Sequence, residues 1–506
     1  MKYGAIAGGE KSTVQAAFNI MENGGNAFDA AVGAVFTSMV SEYCLTGPGG
    51  GGAFLASPVN AEPILFDFFV DTPHPQPEKE LDFFSIIVDF GPSQQQFHIG
   101  QGSVAIPGNI AGLLKVHQRL GQIPLKAVLE PAVNAARNGI VLNSSQGYLI
   151  KILEPILTHS NGGKVLFSPN GKLLKKDDRF KNPKFADLLE ILVAEGHMYF
   201  YEKDGAELIL NTVGEKGLLT KEGLALYRVA ERVPLKSDFR GKTIYTNPAP
   251  AIGGTLITFF LQLLERSKTG TKSELIDLIR AMQITSAARR EISIDMNNEF
   301  QISQLLEPRT FNHYLRLFDS GSNPSQNEKD PVSRGATTHV SVIDKHGNAA
   351  SVTTTNGEGC GYIIPELGMM LNNMLGEEDL NPMGFHQWAY QRRLPTMISP
   401  TIVMGKKGVE LVLGSGGSNR LRSAISQVIL NLFAKKMDLE ASVHEARIHL
   451  EGNVLHYEPG TILERSVDDI RLHPWDDNNL FFGGVNAVSP SEAIGDPRRG
   501  GTGMIR

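Results

Sequence analysis

Two short stretches late in the chain alternate in polarity at every second residue. They are residues 339–344 (His-Val-Ser-Val-Ile-Asp) and 348–355 (Asn-Ala-Ala-Ser-Val-Thr-Thr-Thr), separated by Lys345-His346-Gly347. Period-two alternation predicts half-buried strands, and a three-residue loop with a glycine in the left-handed position predicts a hairpin. Centred on His346, that hairpin sets residues whose numbers sum to 692 opposite each other, Thr337 facing Thr355 among them. A two-residue turn at His346-Gly347 would instead set Asn356 opposite Thr337. Further strand patterns lie at residues 53–56, 63–69, 400–404, 409–413 and 486–488. Helical patterns occupy 26–41, 108–120, 131–138, 255–265, 272–292 and 421–430, the second and third each followed by a glycine. Ser418 or Asn419 is a candidate N-cap for the last of them. Residues 157–183 are polar and basic and read as a solvent-facing excursion, residues 320–330 have linker composition, and residues 494–501 read as irregular. Strands and helices interleave in both halves, which suits a layered α/β (α+β) sandwich with sheets inside and helices outside.

Composition narrows the function classes. Over 506 residues, 41% are hydrophobic and 20% charged, ample for a large core. A net charge of −6 gives no basis for nucleic-acid binding or for an anionic membrane surface. No run of about 18 apolar residues occurs, so no membrane-spanning helix is expected. The N-terminus lacks the charged and apolar regions of a secretory signal, which predicts a cytoplasmic protein. Two cysteines, Cys44 and Cys360, exclude a disulfide framework, and neither sits in a metal-ligand spacing. No cofactor or metal is called for.

The candidate chemistry sits where the hairpin begins. Thr337 follows Gly335-Ala336 and a soft polar run. A cut between Ala336 and Thr337 would give Thr337 a free α-amine beside its hydroxyl, and such an amine can act as the base for a threonine nucleophile. Thr355, about 4.5–5.5 Å away across the hairpin, could orient that hydroxyl. Downstream, Leu411-Val412-Leu413-Gly414-Ser415-Gly416-Gly417 reads as a strand running into a glycine turn before a helix. Unpaired N–H groups at such a turn can stabilise an oxyanion. A phosphate loop is excluded because no lysine follows at the required position.

Together these motifs resemble the gamma-glutamyltransferase (gamma-glutamyltranspeptidase) family of N-terminal nucleophile hydrolases. Asn23–Ala31, Thr46–Gly52, Ser103–Gly108, Pro248–Gly254, Thr337–Ser341, Leu371–Asn373, Ser399–Val403 and Asp496–Gly500 carry the resemblance in family order. It implies a four-layer αββα sandwich made as one precursor, self-cleaved into a large subunit (1–336) and a small subunit (337–506) that form one unit. The heterodimer would be compatible with further oligomerisation, and exported relatives are common. Thr337 would attack a γ-glutamyl amide such as glutathione and pass the acyl group to water or an acceptor amine. Thr355 matches the family's second threonine. Gly416 and Gly417 match its oxyanion pair, in a loop one residue shorter. Substrate-binding positions fall on Asn356, Glu377, Thr396 and Ser418. One departure concerns specificity: Val70 stands where the family carries an arginine for the donor's carboxylate. Valine cannot make that bidentate contact, so the alternative donor is a glutaryl-type amide or a poly-γ-glutamate.

Overall fold

Alternation of side chains across each strand gives two sheets with one face each to share. In the computed structural model, which describes residues 1–74, 79–89, 94–268, 275–292, 299–321, 336–461 and 470–506, seven strands form the first sheet. Their order is Thr502–Ile505, Gly4–Gly8, Thr338–Asp344, Ala349–Thr355, Gly51–Ser57, Ile64–Phe68 and Ala230–Arg232. The second has six: Ala493–Ile494, Gly484–Val488, Gly408–Gly416, Thr401–Gly405, Lys242–Thr246 and Leu235–Phe239. Ala5, Leu55, Ile343 and Ala349 of one sheet meet Ile402, Val412 and Val488 of the other.

The opposite faces carry the helices. Val340, Val342, Ala350 and Val352 pack into a core with helix Ala27–Ser41, all of whose 15 residues are buried. Val403, Leu411, Leu413 and Val485 pack against helices Gly253–Arg266 and Arg420–Phe433. This is the expected αββα sandwich.

The hairpin has the three-residue loop. Pairing runs from Thr338↔Thr354 to Ile343↔Ala349, every pair summing to 692. Gly347 has φ +90°, the left-handed conformation that favours glycine. Asp344 secures the turn by accepting from the N–H groups of His346 (2.9 Å) and Asn348 (3.1 Å). Its other oxygen accepts from Ala27 N at 3.0 Å, tying the start of the buried helix to the hairpin. Asn26 caps that helix, and Asp29 closes the capping box.

Several expectations need correction. The third helix is Leu125–Asn138, with Pro131 inside it rather than opening it. Residues 157–183 are no excursion: Leu157, Phe167 and Phe180 are buried, and the two phenylalanine rings stack at 5.5 Å. Its lysines line the outside while every few residues an apolar anchor turns inward. The tail ends in an edge strand, Thr502–Ile505, which pairs with Gly4–Gly8. Of the linker at 320–330, residues 322–330 lie outside the described residues, as do 272–274 of the predicted 272–292 helix.

Candidate active site

Thr337 lies one residue before the first paired position of its strand, where the pairing register carries it to Thr355. Alternation then turns Thr338 toward the helix layer and His339 into the gap between the sheets. Ala336, Thr337 and Thr355 are all buried. Thr355 Oγ1 donates to the Ala336 carbonyl oxygen and accepts from Gly357 N at 3.0 Å. The hydroxyl is therefore fixed by one main-chain donor and aimed at the carbonyl of the Ala336–Thr337 peptide.

The second sheet supplies a close backbone wall. A Cβ on Gly416 would lie 2.2 Å from the Thr337 carbonyl oxygen, so only glycine fits there. Gly417, at φ +120°, turns the chain out of the strand. Arg499 Nη1 donates to the Thr337 carbonyl at 3.3 Å. On the helix side, Thr338 Oγ1 donates to Glu42 Oε2 at 2.5 Å. Burial pushes the Glu42 carboxyl up to about 7.

His339, two residues from Thr337, is not positioned as a base. Its ring bonds Thr353 Oγ1 (2.7 Å) and Ser341 Oγ (2.9 Å). Ser341 spends its proton on the Asn486 carbonyl at 2.9 Å, so it accepts from His339 Nε2–H and the Nδ1 accepts from Thr353. Burial lowers the imidazole to about 3, keeping it neutral. Gly414 leaves the space this ring fills, since a Cβ there would sit 2.3 Å from His339 Cε1.

The loop after Thr355 collects acidic and amide side chains. Ala336 N donates to Glu358 Oε1 at 3.2 Å. Asn373 Oδ1 accepts from Glu358 N (2.9 Å) and Gly359 N (3.2 Å). Gly357, at φ +60°, presses so close that a Cβ would meet Asn373 Oδ1 at 2.1 Å and Glu377 Oε1 at 2.4 Å. Burial pushes Glu358 up to about 8 and raises Glu377 well above the usual carboxylate range. Asn356 is buried beside them, its Nδ2 reaching the carbonyls of Met370 (3.3 Å) and Leu371 (3.4 Å).

Asn419 is the N-cap residue, one of the two expected positions, but its side chain makes no capping bond to the helix. Both side chains reach Asp379, Ser418 Oγ at 2.8 Å and Asn419 Nδ2 at 2.9 Å, while Arg289 bonds Asn419 Oδ1 at 2.7 Å. The Asn419 oxygen that a cap would offer to a first-turn N–H accepts from the charged Arg289 guanidinium instead. Thr396 is more remote in role: its Oγ1 accepts from Ile398 N at 3.2 Å and its carbonyl from Ile252 N at 2.8 Å, which shapes the loop.

Val70 is fully buried in an apolar cluster with Phe69, Ala105, Met374, Leu375 and Leu394. Next to it, Arg393 donates to the Phe69 carbonyl and to Arg228 O (2.7 Å). The same guanidinium lies 3.1 Å from Asp71 and 3.6 Å from Asp67.

The gamma-glutamyltranspeptidase family model matches residues 13–505. The chain belongs to the gamma-glutamyltranspeptidase family. It is similar to the glutathione hydrolase proenzyme of Pseudomonas aeruginosa, 26% identical over 99% of this chain and 94% of that one. The acylase ACY 1 proenzyme of Pseudomonas sp. (strain SE83) is 28% identical over 93% and 87%. In fold it is similar to the cephalosporin acylase from Bacillus halodurans: TM-score 0.82 at 19% identity, covering 99% of this chain and 96% of that one. It is thus a gamma-glutamyltransferase-like enzyme on an N-terminal nucleophile hydrolase scaffold.

Glu358, Asp379 and Glu42 escaped sequence reading, and Arg499 entered it only within the 496–500 motif, with no role. Glu358 had a signal, a lone carboxylate among alternate glycines in Asn356-Gly357-Glu358-Gly359-Cys360-Gly361. Asp379 was hidden in the run Glu377-Glu378-Asp379, where only the fold says which carboxylate turns inward.

Proposed function

We propose that this family member cuts its own chain between Ala336 and Thr337 and then uses Thr337 to hydrolyse or transfer a γ-glutamyl or related acyl group. The large subunit is residues 1–336 and the small subunit residues 337–506. The observation that carries the reading is the Thr355 hydroxyl donating to the Ala336 carbonyl, the bond a self-cutting threonine would attack.

In the cut, Thr337 Oγ adds to the Ala336 carbonyl carbon, and the Thr355 hydroxyl stabilises the oxygen as it gains charge. The C–N bond then breaks, the nitrogen taking the proton that Thr337 Oγ gave up. This leaves an ester between Ala336 and Thr337 Oγ. Water hydrolyses it, releasing the Ala336 carboxylic acid, which ionises, and restoring the Thr337 hydroxyl beside a free amine.

In turnover, that neutral amine takes the hydroxyl proton as Oγ attacks the donor's carbonyl. Backbone N–H groups at Gly416 and Gly417 serve the oxyanion, and the departing amine carries the proton away. Water or an acceptor amine completes the cycle. Asn356, Glu377 and Ser418 line the donor's polar end, and Thr396 supports the loop beside it. The relative named glutathione hydrolase makes glutathione the first donor to try.

Val70 favours a second reading of specificity. Its side chain lies in an apolar cluster, so the position offers no charge to a donor carboxylate. A glutaryl-type or other acyl amide is then the better donor, as the relative named acylase suggests.

Intact mass of the purified wild type is expected to show a chain beginning at Thr337, and Thr337→Ala a single chain of 506 residues. An uncut wild type that still turns over substrate would refute the mechanism. Rates on γ-glutamyl and glutaryl anilides separate the two donors, and a strong γ-glutamyl preference would sink the second reading.

A further inference from the structure

Ala336 is held at both of its main-chain polar groups. Its carbonyl receives the Thr355 hydroxyl, and its N–H donates to Glu358 Oε1 at 3.2 Å. Glu358 is itself fixed: its own N–H donates to Asn373 Oδ1 at 2.9 Å, between glycines whose positive φ values bend the loop tightly. Glu358 Oε2 and Glu377 Oε1 are buried without a hydrogen-bond partner among the described residues. Among the described residues, the Ala336 N–H is the main-chain group outside its own loop that donates to the Glu358 carboxyl.

We propose that Glu358 is a positioning residue for self-cleavage, clamping the Ala336 N–H so that the Ala336 carbonyl faces Thr337 and Thr355. This rests on the self-cutting reading above.

The test follows the rate at which full-length chain yields the fragment starting at Thr337, by intact mass after rapid purification. Glu358→Ala is expected to slow that rate about tenfold, the loss of one hydrogen bond to a carboxyl group. Glu358→Gln keeps an oxygen for the Ala336 N–H and is expected to recover most of the rate. Ala336→Pro removes the N–H from the other side, and its effect should not multiply with that of Glu358→Ala. Thermal unfolding of the uncut Thr337→Ala chain with and without Glu358→Ala separates misfolding from misplacement; equal midpoints with slow cutting support the clamp. Cutting by Glu358→Ala at the wild-type rate, or multiplicative effects in the double variant, would overturn it. A wild type that never cuts would defeat the proposed function itself, whereas a wild type that cuts alongside an equally fast Glu358→Ala defeats only this role.

Discussion

The surroundings of Ala336 and those of Val70 are both buried and both rich in polar groups, but they satisfy them differently. Around Ala336 the partners are close in sequence: Thr355 and Glu358 stand 19 and 22 residues away, and the contacts go to main-chain atoms. Around Val70 the polar groups are ions from distant segments, with Arg393 reaching Asp71 and Asp67 across more than 300 residues. Arg232 adds a contact to Asp67 at 2.9 Å. A cation therefore does sit beside Val70, paired with two carboxylates. One region holds main-chain groups through side chains nearby in sequence; the other holds an arginine through ions from distant segments.

The largest test of this contrast is on the Ala336 side. Thr337→Ala should abolish cutting and turnover outright. Thr355→Ala should slow cutting by about a hundredfold or more, the usual cost of losing an oxyanion donor, measured by intact mass over time. On the Val70 side the effects should fall on stability, so they are measured on the uncut Thr337→Ala chain. Arg393→Met should destabilise it by about 3–5 kcal/mol, because Asp67 and Asp71 are left buried with reduced pairing. Adding Asp71→Asn should return part of that loss in urea unfolding. If Arg393→Met proves neutral in stability and instead changes donor preference, the contrast fails.

A smaller effect is pH-dependent. Glu42 holds its proton up to about 7 in the folded chain, against an ordinary value of 4.5, because of burial. A raised carboxyl stabilises the fold fully below the ordinary value and loses that contribution as pH rises through the folded value. Stability should therefore decline between pH 4.5 and about 7.5. Glu42→Gln should remove Glu42's share, about 2–3 kcal/mol, seen as a flatter urea midpoint across that range. Glu10 and Arg499 are the other charged groups that face the same carboxyl. The smallest effect is Gly347→Ala, about 1 kcal/mol from the left-handed turn, since the nearest atom to a new Cβ is Val59 Cγ2 at 3.4 Å.

Local pattern made much of this molecule legible. Alternation and one glycine narrowed the hairpin to two registers, and the structure adopts the one that faces Thr337 with Thr355. An alanine-rich run marked the helix that begins after Asn26, and the structure supplied its capping box. The errors share a cause. Pro131 suggested a helix start because proline opens helices well, yet the preceding turn, from Leu125, tolerates it in the interior. Ser418 and Asn419 carried the composition of a cap, but their donors go to Asp379, 39 and 40 residues upstream, and Arg289 takes the Asn419 oxygen. The lysines of residues 157–183 masked anchors whose burial depends on a core built elsewhere.

By itself, the sequence determined the period of each strand, two candidate turns for the hairpin, the glycines that admit close backbone, and the absence of an arginine at position 70. Those are short-range facts, decided by sterics and side-chain alternation within a few residues. Only the tertiary structure decided which carboxylates turn inward, that Glu358 grips Ala336, and that Arg393 is spent on Asp67 and Asp71. Burial and ion pairing depend on what arrives from elsewhere in the chain, and desolvation makes those arrivals the dominant energy at each site.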